Sequence, residues 1–183
     1  MKKYFIAFRP FLLFLTKFFL TFIVLTLLYQ EFLDSFEDNK IDSITTSVAR
    51  NTEQLLDLFP MDVVTEENKE ETFIKLIYNH KYVARIIEGC NAISVIILFI
   101  SFVVSFSGKL KPTLLFIFGG SVMVYILNVL RIAMLSVLMY HFPGQVSFLH
   151  GVLFPLFIYG VVFILWIIWV SKFSLYAKNT ATS

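Results

Sequence analysis

Four long runs of apolar residues govern what this chain can fold into. A helix needs about 20 predominantly apolar residues to cross the ~30 Å hydrocarbon core of a bilayer. Phe11–Tyr29, with Lys17 as its only charge, meets that need. So do Asn91–Ser107, which is short but uninterrupted, Pro112–Tyr140, which carries Asn128 and Arg131, and Val152–Val170. Each is too long and too apolar to be a strand of a soluble sheet. With 58% hydrophobic residues, 15% charged residues and 22 Phe in 183 positions, the chain holds more apolar surface than a soluble domain of its size can hide. That excludes an ordinary cytosolic enzyme, a nucleic-acid binder and a disordered chain. It predicts an all-α polytopic membrane protein of about four transmembrane helices, with the lipid bilayer as its surroundings. Lys2, Lys3 and Arg9 precede the first run as they would in a secretory signal. That run is too long for a signal's apolar region and no small-x-small site follows Tyr29, so it is expected to stay as an anchor.

The formal net charge of +2 hides a strong partition. Residues 30–89 contain all 13 acidic residues and six basic ones, a net charge of −7, while the nine remaining basic residues lie outside. Lys2, Lys3 and Arg9 flank the first run, Lys109 and Lys111 separate the second from the third, and Lys172 and Lys178 follow the fourth. The connection His141–Gly151 has no Lys or Arg. The positive-inside rule then puts both termini in the cytoplasm and the acidic loop outside. The expected division is 1–29, a cytoplasmic N-terminus and first span; 30–89, an acidic extracytoplasmic helical loop; 90–171, a three-helix membrane core; and 172–183, a cytoplasmic tail.

Within the loop, Ile41, Ile44, Val48, Leu55 and Phe59 recur as one face of an amphipathic helix that Pro60 stops. A second helix is expected after Thr65, with Glu66 and Glu67 at its N-terminus and Phe73, Leu76 and Ile77 on one side. Two such helices cannot make a core alone and must lie on the membrane or cap the bundle.

The topology gathers three reactive side chains. Cys90 opens the second span at its outer end. Arg131 lies 19 residues beyond Pro112, or ~28 Å at 1.5 Å per residue, close to the full thickness of the core. His150 sits in the outer connection, two residues before the fourth span. The second and fourth spans present helix N-termini outward, a field that suits the negative charge of a thiolate, as does a nearby guanidinium. Cys90 is then a candidate nucleophile, His150 a general base and acid, and Arg131 a partner for the thiolate or an oxyanion. Asn128, one turn before Arg131, continues with Tyr125 and Ser121 as a polar stripe that should face the bundle. Each residue also has a plain reading: Cys90 as a small buried hydrophobe, Arg131 as a side chain reaching the headgroups, and His150 as a loop residue. The lone cysteine excludes a disulfide framework, a Cys-x-x-Cys pair and a multi-cysteine zinc site, and no metal or other cofactor is expected.

Glu88-Gly89-Cys90-Asn91-Ala92 resembles the acidic-x-Cys-small motif of the exosortase/archaeosortase family, and Asn128-Val129-Leu130-Arg131 its Asn-x-x-Arg motif. His150-Gly151 resembles its third motif, in the same order and at the same helix ends. The resemblance covers about Val83 to Val170, and the short length is most similar to the exosortase F branch. It implies a membrane-embedded cysteine transpeptidase. Such an enzyme cuts a C-terminal sorting signal of a short motif, a transmembrane helix and a basic tail, and passes the substrate to a surface acceptor. It implies Cys90 as nucleophile, Arg131 as electrostatic partner and His150 as acid/base, with Glu88, Asn91 and Asn128 in support. Larger members of the family have about eight spans, so a partner membrane protein could supply what this chain lacks.

Other function classes fit less well. A non-enzymatic membrane scaffold or assembly factor for a cell-surface export system would use Arg131 and the loop for binding. A transporter needs more intramembrane ionisable residues than the first, second and fourth spans hold. A thiol-redox enzyme needs a resolving cysteine.

Overall fold

The computed structural model describes residues 2–36, 40–59, 61–68, 71–106 and 108–174, with side chains from Phe8 onward. Three helices in it are long and apolar enough to cross a membrane. They are the Phe8–Asp34 portion of α1 (Lys2–Asp34), α4 (Leu110–His141) and α5 (Pro143–Phe173). A shorter apolar helix, α3 (Ile93–Ser105), accompanies them. Its 13 residues reach about 20 Å, less than the span expected for Asn91–Ser107. The helix starts late because Asn91 and Ala92 are spent on a turn, with Ala92 left-handed at φ 66°. Ser107, the expected end of that span, lies outside the described residues, as do Pro60, Lys178 and the tail from 175.

The transmembrane packing is aromatic. Phe14 of α1 meets Phe102 and Phe106, with centroids 5.9 and 4.7 Å apart, which ties the first span to α3. Phe102 stacks on Trp166 of α5 at 4.2 Å. Phe99, Val103, Val124, Val162 and Trp169 form the buried centre of α3, α4 and α5. Gly120 lets α3 approach α4, since a Cβ there would overlap the Phe99 ring. α4 runs unbroken for 32 residues, so the third apolar run is one helix.

The acidic segment folds onto one end of this bundle. α2 (Ser43–Asp57) starts where the Asp42 Oδ1 accepts from the backbone N–H groups of Ile44 and Thr45, both at 2.9 Å. Its buried stripe is Thr45, Val48, Ala49, Thr52 and Leu56, rotated from the expected face. Two threonines join the stripe because each hydroxyl has an internal partner: Thr52 Oγ1 donates to the Val48 carbonyl at 2.8 Å, and Thr45 Oγ1 accepts from Asn91. Phe59, assigned to that face, lies past the helix and is exposed.

The second loop helix is not formed. In its place stands an antiparallel sheet of β1 (Val63–Glu67), β2 (Ile74–Tyr78) and β3 (Lys81–Ile86), in that order. Along β2 the alternating residues Ile74, Leu76 and Tyr78 are buried, a period of two that the grouping Phe73, Leu76, Ile77 obscures. The β2–β3 turn is Asn79-His80, with φ of 48° and 58°, the two positive values of a tight hairpin turn. Val48, Leu56, Val63, Leu76 and Ile86 share one core with Val129, Ile132 and Ala133 of α4. The segment therefore caps the bundle by packing on α4, one of the two arrangements expected for it.

α5 also begins earlier than expected. Pro143 starts it, a position where the missing N–H is not needed, so the expected connection His141–Gly151 is helical from there on. The helix widens to π geometry at Leu149–Leu153 and again at Trp169–Phe173. His150 is accordingly a helical residue rather than a loop residue.

Candidate active site

Cys90 ends a single 3₁₀ turn, Glu88–Cys90, that links β3 to α3. Its backbone N–H donates to the Ile87 carbonyl at 2.8 Å, and that of Asn91 to the Glu88 carbonyl at 3.3 Å. Two asparagines fix the turn. Asn128 of α4, 1% exposed, donates from Nδ2 to the Cys90 carbonyl at 2.6 Å. Asn91, also 1% exposed, donates from Nδ2 to the Tyr29 hydroxyl at 2.6 Å and to Thr45 Oγ1 at 3.2 Å, while its Oδ1 accepts from the Ile93 N–H at 3.0 Å. The last bond caps α3, and the first two tie the turn to α1 and α2. The turn that carries the half-buried Cys90 is thus tied to three other helices.

Arg131 follows Asn128 by three residues and so shares its face of α4. Its Nε is buried and has no hydrogen-bond partner among the described residues. His150 comes from the π turn of α5 and is exposed. Cys90, Arg131 and His150 line one cavity of about 200 Å³, together with Arg85 of β3. Ile132 and Leu135 of α4 contribute apolar wall. The three candidate residues that lie 41 and 19 positions apart in the chain therefore meet at one end of the bundle. Glu88 belongs to the cysteine turn but not to the cavity wall. The polar stripe on α4 faces inward as expected: Tyr125 accepts from Asn51 Nδ2 at 2.8 Å, and Ser121 Oγ is buried.

A family model of transmembrane exosortases matches residues 4–176, almost the whole chain. The chain belongs to the transmembrane exosortase family. Comparison with curated proteins and with solved structures returns no match. The exosortase match extends over α1 and the acidic segment, well beyond the stretch Val83–Val170 that carries the motifs.

Some residues of this exosortase's cavity and its surroundings escaped sequence reasoning. In the sequence Arg85 reads only as loop charge, because a helical segment conceals which side chains β3 turns toward α4. Tyr29 reads only as the end of the first apolar run, and the expected face of the loop helix does not include Thr45. The available signal for Thr45 was Asp42-Ser43, an N-cap pair that sets where α2 starts and hence which side Thr45 faces. Among the described residues, no three His, Cys, Asp or Glu side chains are grouped so as to hold a metal ion.

Proposed function

We propose that this exosortase is a membrane-embedded cysteine peptidase and transpeptidase. It cleaves the C-terminal sorting signal of membrane-anchored substrate proteins and works in the bacterial inner membrane. The observation that carries the reading is the shared cavity: a thiol, a guanidinium and an imidazole from three separate elements converge on about 200 Å³. Cys90 is the nucleophile. Its proton passes to His150, and the sulfur attacks the scissile carbonyl carbon, moving an electron pair onto the oxygen. Arg131, which lines the same cavity, stabilises that oxyanion. Collapse of the intermediate expels the amine, which takes the proton from His150, and leaves a thioester on Cys90. An acceptor amine, hydroxyl or water then gives its proton to His150 and attacks the thioester, and the thiolate departs.

The charge partition supports a cytoplasmic position for both termini and an extracytoplasmic site, since the acidic segment and the cavity share one end of the bundle. Glu88, Asn91 and Asn128 support the site by shaping the cysteine turn. The branch is taken to be exosortase F, and a partner membrane protein to assist in substrate capture.

The test is Cys90→Ala and Cys90→Ser in a cell that processes the cognate substrate. Loss of processing at normal protein level is expected. Unchanged processing in both variants would sink the proposal and favour a non-enzymatic scaffold. For a scaffold, charge reversals in the acidic segment should disrupt function while Cys90→Ala is silent.

A further inference from the structure

We propose that the free edge of β3 receives the substrate chain: the stretch upstream of the scissile bond pairs with Arg85 as an added parallel strand, which delivers it to Cys90. This rests on the reading of the cavity as an active site and deepens it by naming how the peptide is held.

The sheet order leaves β3 with an outer edge, and no described strand pairs with it. One residue, Ile87, separates β3 from the cysteine turn Glu88–Cys90. Ala84, Arg85 and Ile86 all line the cavity that Cys90 lines. Side chains alternate between the two faces of a strand, so three successive residues share one wall only where that wall is the strand's edge. The cavity therefore runs along the β3 backbone.

The hydrogen-bond register shows which backbone groups face that space. The Asn79 N–H donates to the Asp62 carbonyl at 2.8 Å, and the Asn68 N–H to the Phe73 carbonyl at 3.0 Å. Val63 stands opposite Tyr78 and Glu67 opposite Ile74, so both are bonded pairs of the β1–β2 ladder. The odd-numbered residues of β2 thus bond toward β1. Ile74 and Leu76 bond the other way, toward Ile86 and Ala84 opposite them. Arg85, between those two, turns its N–H and its carbonyl off the sheet. Ile87 follows in the same phase, but its carbonyl accepts from the Cys90 N–H at 2.8 Å, so it offers its N–H. On the far side of Ala84, Val83 is the extra residue of a bulge, where the regular edge ends. Two donors and an acceptor spaced along a strand edge are what an extended peptide completes.

The membrane gives the direction. With the acidic segment outside, β3 leads inward to α3. A substrate anchored by a C-terminal transmembrane helix also runs from outside to inside, so its upstream stretch lies parallel to β3. From Arg85 to Cys90 is no more than about 13 Å, two strand steps of ~3.3 Å and three 3₁₀ steps of ~2.0 Å. The substrate residue opposite Arg85 therefore stands about three or four positions before the scissile bond.

The test uses a full-length Cys90→Ala chain, which holds substrate without cutting it, in the cell of the processing assay. Arg85→Cys is added as its one thiol. The substrate protein of that assay carries a single cysteine, moved one position at a time through the stretch before its cleavage site. Oxidation is expected to give a disulfide about three or four positions before the site and little elsewhere. Val64→Cys, exposed on β1 at the other edge of the sheet, should give none. A yield that is absent, even across the positions, or equal for Val64→Cys would overturn the proposal. So would a disulfide between two copies of Arg85→Cys in place of one with substrate, which would assign the edge to a second copy of this chain. A second measurement uses the active chain. Arg85→Pro removes the outward N–H and spares the ladder to β2, a setting in which an edge strand accepts proline. Processing should fall about tenfold below that of Arg85→Ala, which loses the side chain but keeps the donor. Equal processing in these two variants would overturn the pairing. The disulfide assay needs no cleavage, so its failure and that of the Cys90→Ala processing test are separate outcomes.

Discussion

The Asn128 side-chain amide donates to the Cys90 backbone carbonyl at 2.6 Å, joining the middle of one long helix to the turn that presents the thiol. The bond spans 38 residues and is partly buried, with Asn128 itself buried, so it holds the cysteine at a set height relative to Arg131, which lies one turn further along α4. Asn128→Leu removes the donor and leaves a partly buried carbonyl unpaired, at a cost of about 1 kcal/mol. Substrate processing is expected to fall by tenfold or more while much of the protein still inserts. Processing rate normalised to membrane-inserted protein is the measurement, and a wild-type rate in Asn128→Leu would show that the turn holds itself.

The second asparagine gives a coupling experiment. Asn91 Nδ2 shares its hydrogens between Tyr29 of α1 and Thr45 of α2. Tyr29→Phe and Thr45→Val each remove one acceptor, and the remaining one partly compensates. The double variant removes both and orphans the amide. The two effects should therefore be non-additive, with the double variant worse than the sum by about 0.5–3 kcal/mol in a thermal or denaturant unfolding series. Additive losses would mean that the two bonds act independently.

Much of this arrangement was legible in the sequence, and what was not has definite causes. Hydropathy locates helices that lipid surrounds, because membrane-spanning backbone must satisfy itself within one segment. It located α1, α4 and most of α5, and ordering those segments by charge put Cys90, Arg131 and His150 at one end. The start of α5 was missed because Val146–Phe148 reads as connection when Pro143-Gly144 precedes it, although Pro is favoured at a first helical position. The acidic segment obeys different rules. Its strands are short and half-buried against α4, and Phe73, Leu76 and Ile77 fit a helical spacing as readily as Ile74, Leu76 and Tyr78 fit an alternating one. The local signal that decides between them is Asn79-His80, since Asn tolerates the positive φ of a tight turn. Arg85 became visible as a cavity residue only once the strand was in place.

Asp42 separates a helix cap from a buried charge. It is 0% exposed, its Oδ1 accepts two backbone N–H bonds, and its Oδ2 is buried with no partner among the described residues. Asp42→Ala forfeits the cap and should destabilise the capping segment by about 1 kcal/mol. Asp42→Asn keeps an acceptor oxygen for Ile44 and Thr45, so it should retain most of the stability that Asp42→Ala loses. Unfolding in detergent, followed by protease sensitivity of α2, ranks the three proteins. If Asp42→Asn loses as much as Asp42→Ala, the carboxylate charge itself is required.

The contact between α3 and α4 depends on a missing side chain. Phe99 is 0% exposed, and its ring occupies the place where a Cβ on Gly120 would stand, whereas a Cβ on Gly119 would meet nothing within 4 Å. Gly120→Ala must therefore push the ring, or the whole of α3, away from α4, and overpacking of this kind costs about 1–3 kcal/mol. Because α3 begins at the cysteine turn, that displacement also moves Cys90 relative to Arg131. Gly120→Ala is expected to lower both the unfolding temperature and substrate processing, while Gly119→Ala changes neither. Phe99→Leu, which shortens the opposing side chain, should recover part of the stability lost in Gly120→Ala when the two are combined. Thermal unfolding of the four proteins in one detergent provides the comparison. A combined variant no more stable than Gly120→Ala would mean that the ring is not what the added methyl strikes.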